Sequence, residues 1–371
     1  MRVLILSCST GQGHNSAARA IEDALIKKGA ECLIIDPLSF SGRRTAKKAA
    51  DIYTAMMKNA PNAFGVIYKV GEIYSSTGII SPVYQFNARY SKKLEAYINE
   101  EKFDAVISTH LYGMEACTAI RKRGKCKVPF FGVLTDYTCI PFFAETHLDA
   151  YFIPQEELRD ELVSCGMEAD RLIPSGIPVN PRFSHPVSKS EARKKLGLKE
   201  NTPAVLVMNG GIGCENILDF CKEFINGNET DFSLLVLTGR NAKLKRRAEE
   251  SFGNDSRVKI IPYTEEVYLY MFASDVMISK PGGLTSTEAA VAGIPLIHLL
   301  AYAGCETKNA EFFSKRGMSK NAANVKEAAE LTKNTVYSKE ERERIVQMQR
   351  KYIPQNAAET IVQKVLEYGK T

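Results

Sequence analysis

Three times in this chain a short apolar run breaks into glycines and then into a helix start, and that recurrence limits the fold more than any other feature. The runs are residues 2–8 before Gly11-Gln-Gly13, Pro203-Ala-Val-Leu-Val-Met before Gly210-Gly-Ile-Gly213, and Asp275-Val-Met-Ile-Ser before Gly282-Gly283. Uninterrupted apolar runs of this length read as buried strands, and a glycine turn feeding a helix is the crossover that parallel pairing needs. Further strands are expected at Cys32–Asp36, Phe103–His110, Val128–Asp136, Ala150–Pro154, Ser233–Thr238 and Val258–Pro262, with helical stretches between them. Ser175-Gly-Ile-Pro-Val-Asn-Pro-Arg-Phe183 has neither period and reads as a linker. The expectation is an α/β chain of two doubly wound halves joined near residue 180. Its last helices are Lys339–Tyr352 and Ala357–Tyr368, separated by Pro354.

Composition narrows the class. A chain of 371 residues, 25% of them charged, has the size of two domains. No stretch of about 18 apolar residues is present to span a bilayer, and the opening Met-Arg-Val-Leu-Ile-Leu-Ser is too short for a signal peptide. Nine cysteines without a CxxC pair point to a reducing cytoplasm and away from disulfides or structural zinc. The net charge of +6 permits an anionic membrane surface, and no nucleic-acid motif accompanies it.

Chemistry concentrates at the strand ends. In Ser279-Lys-Pro-Gly-Gly-Leu-Thr-Ser-Thr-Glu288 the glycines let backbone amides approach a ligand. The helix start adds unpaired N–H donors and a positive dipole end, so a diphosphate is the natural guest. Thr285 adds a hydroxyl, and Glu288 can accept from ribose hydroxyls. The stretch is neither a Walker A loop nor a three-glycine dinucleotide turn, and an ordinary tight connection is its plain alternative. Gly11, Gly13 and Asp36 approach a dinucleotide fingerprint, but Ser16 stands where the third glycine belongs, which argues against NAD. His110 and Asp136 end two expected strands, the edge at which open sheets place their sites.

Residues 40–100 have a texture of their own. Arg43, Arg44, Lys47, Lys48 and Lys58 alternate with aromatics and methionines, and a similar mixture runs on to Lys92 and Lys93. Two readings stand level: amphipathic helices lying in a membrane interface, or helices packed on the sheet with their lysines solvated.

Taken in order, these segments resemble glycosyltransferase family 28: Gly11 to His14, Thr135-Asp136, Gly176 to Phe183, Gly210 to Gly213, Lys280 to Glu288 and Gly304 to Asn309. The likeness is greatest to the diacylglycerol glucosyl- and galactosyltransferases. It implies the GT-B fold, two Rossmann-like domains facing a cleft. An acceptor and membrane-binding domain would cover 1–175, a UDP-sugar domain 176–353, and a helix at 354–371 would cross back. It implies an inverting, metal-independent transfer of hexose from UDP-glucose or UDP-galactose to a membrane lipid hydroxyl. No cofactor is implied, the UDP-sugar being a co-substrate, and the protein would sit on the inner face of the cell membrane.

Carried over residue by residue, the resemblance makes His14 the general base, with Asp136 as second choice or as the group that orients it. An imidazole titrating near ~6.5 can accept a proton at neutral pH. Gly11, Gly13 and His110 fall on the acceptor side. Gly211, Gly213, Gly282, Gly283, Leu284 and Thr285 would meet the diphosphate, Thr264 the uracil, Glu288 the ribose, and Cys305, Glu306 and Asn309 the hexose. Relatives usually carry Gly-Gln-Glu where this chain has Gly304-Cys305-Glu306, so the identity of the sugar stays open. Two other classes also stay open: a UDP-sugar 2-epimerase on the same fold, and a non-catalytic nucleotide-sugar sensor.

Overall fold

The structure is a computed structural model, and it describes residues 1–8, 12–42, 80–208, 216–228, 230–299 and 304–368. The chain forms two compact units, one of residues 1–180 with Asn356 onward, the other beginning at Pro181 and ending at Gln355. Gly304 and Cys305 group with the first unit and Glu306 with the second.

In the first unit the chain runs β1 (Arg2–Leu6), α1 (Gln12–Lys27), β2 (Glu31–Ile35), α2 (Pro82–Glu100), β3 (Ala105–Ser108) and α3 (Leu111–Arg123). It continues through β4 (Phe130–Val133), β5 (Ala150–Ile153), α4 (Arg159–Ser164) and β6 (Leu172–Pro174). The six strands pair in parallel in the order β2-β1-β3-β4-β5-β6. After β2 the chain crosses to the other side of β1, so the order reverses between β1 and β3. Such a switch point leaves a crevice at the carboxyl ends of those two strands, where open sheets bind ligands.

The second unit repeats the plan. Its elements are α5 (Lys189–Leu196), β7 (Ala204–Met208), α6 (Asn216–Asn226), β8 (Ser233–Gly239), α7 (Ala242–Phe252), β9 (Val258–Pro262) and α8 (Val267–Ala273). Then come β10 (Val276–Ser279), α9 (Gly283–Ala292), β11 (Leu296–Leu299), α10 (Cys305–Lys315), β12 (Ser319–Ala322), α11 (Val325–Tyr337) and α12 (Lys339–Tyr352). The sheet order is β12-β11-β10-β7-β8-β9, all parallel, with the reversal between β7 and β10. These are the two strands that the sequence shows running into glycines.

The inner strands β3, β4, β5, β7 and β10 are buried at every residue and largely apolar instead of alternating, as strands covered on two faces are. One face of the first sheet packs Val3, Ile5, Ile107 and Phe131 against Ile21 of α1. The final helix α13 (Ala357–Tyr368) adds Ile361, Val362 and Val365 to that cluster, all fully buried.

One local finding differs from the sequence-based expectation, and one bears on a region the sequence left open. Helix α1 starts at Gln12, so Gly13 and His14 lie within its first turn and not on a loop before it. Asn15 fixes that start, its Oδ1 accepting a hydrogen bond from the Ser7 hydroxyl at 2.7 Å, just past the end of β1. Of the mixed basic and aromatic region, residues 43–79 lie outside the described residues. The part that is described includes α2, which packs against α3 and buries Tyr84, Tyr90, Leu94 and Ile98 while Lys92 and Lys93 stay exposed. That helix is packed against a neighbouring helix with its lysines solvated. No helix among the described residues is long and apolar enough to cross a membrane.

The place of α13 in the first core gives a stability prediction. Ile361→Ala should lower the unfolding free energy by about 2–5 kcal/mol, the usual loss for truncating a fully buried isoleucine. The measurement is a shift in urea midpoint at constant slope, and an unshifted midpoint would remove α13 from that core.

Candidate active site

At the first switch point the elements converge on His14. Its Nδ1 lies 2.7 Å from the Thr109 carbonyl oxygen and 3.2 Å from Thr135 Oγ1, joining α1 to the residues that follow β3 and β4. The Thr109 hydroxyl returns the contact, donating to the His14 carbonyl oxygen at 3.1 Å. A carbonyl oxygen only accepts, so Nδ1 carries the proton and Nε2 is left with the lone pair.

His110 stands against His14, ring centroids 4.6 Å apart and edge to face. It is the N-cap of α3, its Nδ1 accepting the Tyr112 N–H at 3.2 Å, so its proton belongs on Nε2. The two imidazoles therefore hold opposite tautomers. Close packing of α3 on β3 sets this geometry, and Gly113 permits it: a Cβ there would fall 2.3 Å from Ser108 Oγ.

Burial lowers the pKa of His14, with the Asp136 charge and the Thr109 carbonyl pulling the other way. His110 is lowered well below the usual imidazole range by burial and by the neighbouring His14. Both rings are neutral at pH 7. A neutral imidazole with a bare Nε2, steadied by a carbonyl on its other nitrogen and tuned by a nearby carboxylate, has the constitution of a general base.

At the second switch point, β10 ends at Ser279 and Gly282 is the N-cap of α9, with no side-chain cap bond. A Cβ built on Gly282 would meet no atom of the described residues within 4 Å. Amides in the first turn of a helix have no intrahelical acceptor, so Gly283, Leu284 and Thr285 offer N–H groups and the positive dipole end together. Glu288 lies three residues after Thr285 on the same face, half-buried, its carboxyl pushed up to about 8 by burial.

Helix α10 is strapped to this turn. Asn309, fully buried, donates from Nδ2 to the Pro281 carbonyl oxygen at 3.1 Å, and Glu306 pairs through Oε1 with Lys280 Nζ at 2.5 Å. Beneath α9 the Ser286 hydroxyl meets His298 Nε2 at 3.0 Å, while Asn321 Oδ1 and Ser319 Oγ lie 3.3 and 3.2 Å from Nδ1. Burial lowers His298 to about 4, so the ring is neutral and ties the helix to β11 and β12.

The structure thus brings His14, Gly13, His110 and Asp136 to one sheet edge, and Gly282, Gly283, Leu284, Thr285, Glu288, Glu306 and Asn309 to another. Cys305 opens α10, and Thr264 follows β9 with its hydroxyl accepting the Glu266 N–H at 3.1 Å. Gly11, Gly211 and Gly213 lie outside the described residues. Sequence reasoning passed over Lys280 and His298. The signal for Lys280 was its position between a strand end and a glycine pair, and for His298 an imidazole inside an apolar strand.

The comparisons agree with this architecture. The monogalactosyldiacylglycerol (MGDG) synthase family model matches residues 14–179, and the glycosyltransferase family 28 C-terminal domain matches residues 204–365. The processive diacylglycerol beta-glucosyltransferase of Bacillus pumilus is 25% identical over 373 residues, covering 99% of this chain and 94% of its own. Among solved structures, the MurG protein of Acinetobacter baumannii superposes with a TM-score of 0.66 at 15% identity, over 99% of each chain. The UDP-GlcNAc 2-epimerase of Neisseria meningitidis superposes with a TM-score of 0.63 at 17% identity, over 99% of this chain and 100% of its own. At such identities these two likenesses bear on the fold alone, which is GT-B.

Proposed function

This chain belongs to glycosyltransferase family 28, and from that membership we infer that it moves a hexose from a UDP-sugar to a hydroxyl of a diacylglycerol-type membrane lipid, building glycolipid. The observation that carries the reading is the uncapped first turn of α9 at a switch point, with a carboxyl one turn further on. A diphosphate on those amides with the ribose hydroxyls near Glu288 uses every polar group of the turn.

In the proposed reaction the lipid hydroxyl oxygen bonds to the anomeric carbon while that carbon's bond to the diphosphate oxygen breaks. UDP leaves with the electron pair, and His14 Nε2 takes the hydroxyl proton. The β-linkage in the relative's name supports inversion, since UDP-glucose is α-linked. Developing charge on UDP would be met by the α9 amides and dipole, which needs no metal. Net charge +6 and a lipid acceptor support peripheral attachment to an anionic cytoplasmic leaflet. Glucose and galactose both remain candidate hexoses.

The test is direct. Labelled UDP-glucose or UDP-galactose with diacylglycerol vesicles should yield labelled glycolipid, in EDTA as well as in magnesium. Conversion of the UDP-sugar in solution without lipid labelling would favour epimerisation, and UDP binding with no turnover would favour a sensor. Strict dependence on a divalent cation would remove the metal-free step.

His14→Ala should lower turnover 10²- to 10⁴-fold, the range for loss of a general base, and leave UDP affinity near wild type. Wild-type turnover in the variant would pass the role to Asp136.

Glu288 adds a pH dependence whose sign follows from its burial. With its carboxyl raised to about 8, the group is protonated in the free protein at pH 7. Ribose hydroxyls donating to the carboxylate favour the charged form, so binding releases a proton and UDP affinity rises with pH up to about 8. Glu288→Gln should flatten this slope, and a wild-type affinity that falls or stays level between pH 6 and 8 would count against the contact.

A further inference from the structure

Glu306 is an almost wholly buried acid held by one cation. Its residue is 9% exposed, Oε1 takes the Lys280 ammonium, and Oε2 is buried with no hydrogen-bond partner among the described residues. Ser279 Oγ, one residue before Lys280, is likewise buried and without a hydrogen-bond partner there. Buried polar atoms are nearly always hydrogen-bonded, so two orphans beside one glycine turn mark a place where a polar ligand completes the structure.

The charges say what kind of ligand. Lys280 and Glu306 neutralise each other, so the pair as it stands offers a diphosphate no net attraction. To gain the ammonium, phosphate oxygens must compete with a carboxylate that already holds it. That competition is lost or won according to what the carboxylate gets in return. A sugar with several hydroxyl donors can satisfy Glu306 through both oxygens, whereas a bare nucleoside diphosphate gives it nothing.

We propose that Lys280 and Glu306 form an exchangeable ion pair that makes retention of the nucleotide depend on the sugar. In the donor complex the ammonium turns to the diphosphate and the carboxylate to the hexose hydroxyls. After transfer the hexose is gone, Glu306 reclaims Lys280, and the diphosphate loses its cation, which favours release of UDP. The inference rests on the donor-site reading above and adds to it a role for Lys280 and a means of product release.

The test is calorimetric titration of wild type, Glu306→Gln and Lys280→Met with UMP, UDP, UDP-glucose and UDP-galactose. Removing the competing carboxylate should tighten UDP on the order of tenfold and weaken whichever UDP-hexose binds wild type better, a reversal no simple loss of structure produces. Lys280→Met should weaken UDP by about tenfold or more and UMP far less. Because that change strands a buried carboxylate, Lys280→Met with Glu306→Gln serves as the folded control and should bind UDP and UDP-hexose almost alike. Unchanged or weakened UDP binding in Glu306→Gln, or equal losses of UMP and UDP in Lys280→Met, overturns ion-pair exchange while leaving the donor site standing. A wild-type protein that binds neither UDP nor a UDP-hexose refutes the donor reading itself.

Discussion

The amides that open α9 have no side chain to cap them, and much of the second unit is arranged to keep them so. A serine, threonine or aspartate at the N-cap would satisfy one of the helix's orphan donors and stabilise the protein by about 1 kcal/mol. Gly282 forgoes that gain and leaves the donors without a side-chain cap from the N-cap position. Holding an uncapped helix end in one place then falls to its surroundings. Asn309 ties the turn from one side and the buried Ser286–His298 contact ties the helix from below. Fixed donors aimed where charge will appear are what electrostatic stabilisation requires, and the cost of holding them there is met by packing before any ligand arrives.

The first unit meets a different requirement with the same topology. In the proposed reaction its site would remove a proton, which calls for a lone pair more than a set of donors. Thr109 supplies the orientation: its carbonyl claims Nδ1 of His14 and its hydroxyl claims the His14 carbonyl, locking ring and backbone to one residue. Burial would by itself lower the basicity of such a ring, and the Asp136 charge opposes that shift. His110 is driven well below the usual range by its burial and by the neighbouring His14. Its ring caps α3, while the ring of His14 keeps Nε2 for the proposed proton transfer.

Most strand positions were legible because a strand buried on both faces is largely apolar, and such runs stand out in sequence; β6, β11 and β12 were not, being short and carrying Pro174, His298 and Ser319-Lys320-Asn321. The glycines after β7 and β10 identified the strands that flank the second switch point for the same reason. Helix starts were less legible. Gly13 and His14 are weak helix formers, yet α1 reaches back over them, with Asn15 anchored to Ser7 by a contact of tertiary origin. Lys280 and His298 escaped notice on similar grounds. An isolated lysine or histidine reads as solvated or structural until the fold shows which carboxylate or hydroxyl lies opposite it.

The same accounting bears on which sugar the site can distinguish. Discrimination between two hexoses that differ at one hydroxyl is strong when the site holds a fixed donor and a fixed acceptor for that group, because the wrong sugar then leaves one of them unpaired. The polar atoms that open α10 are largely committed: Asn309 gives its amide to Pro281, and one oxygen of Glu306 goes to Lys280. Position 305 carries a thiol, and sulfur donates and accepts only weakly. The buried oxygen without a partner is an acceptor, Glu306 Oε2. A carboxylate oxygen can accept a hydroxyl from a range of directions, so by itself it rewards the presence of a sugar more than the stereochemistry of one carbon. Under the proposed donor reading, this first turn would therefore tell a UDP-sugar from spent UDP more readily than glucose from galactose.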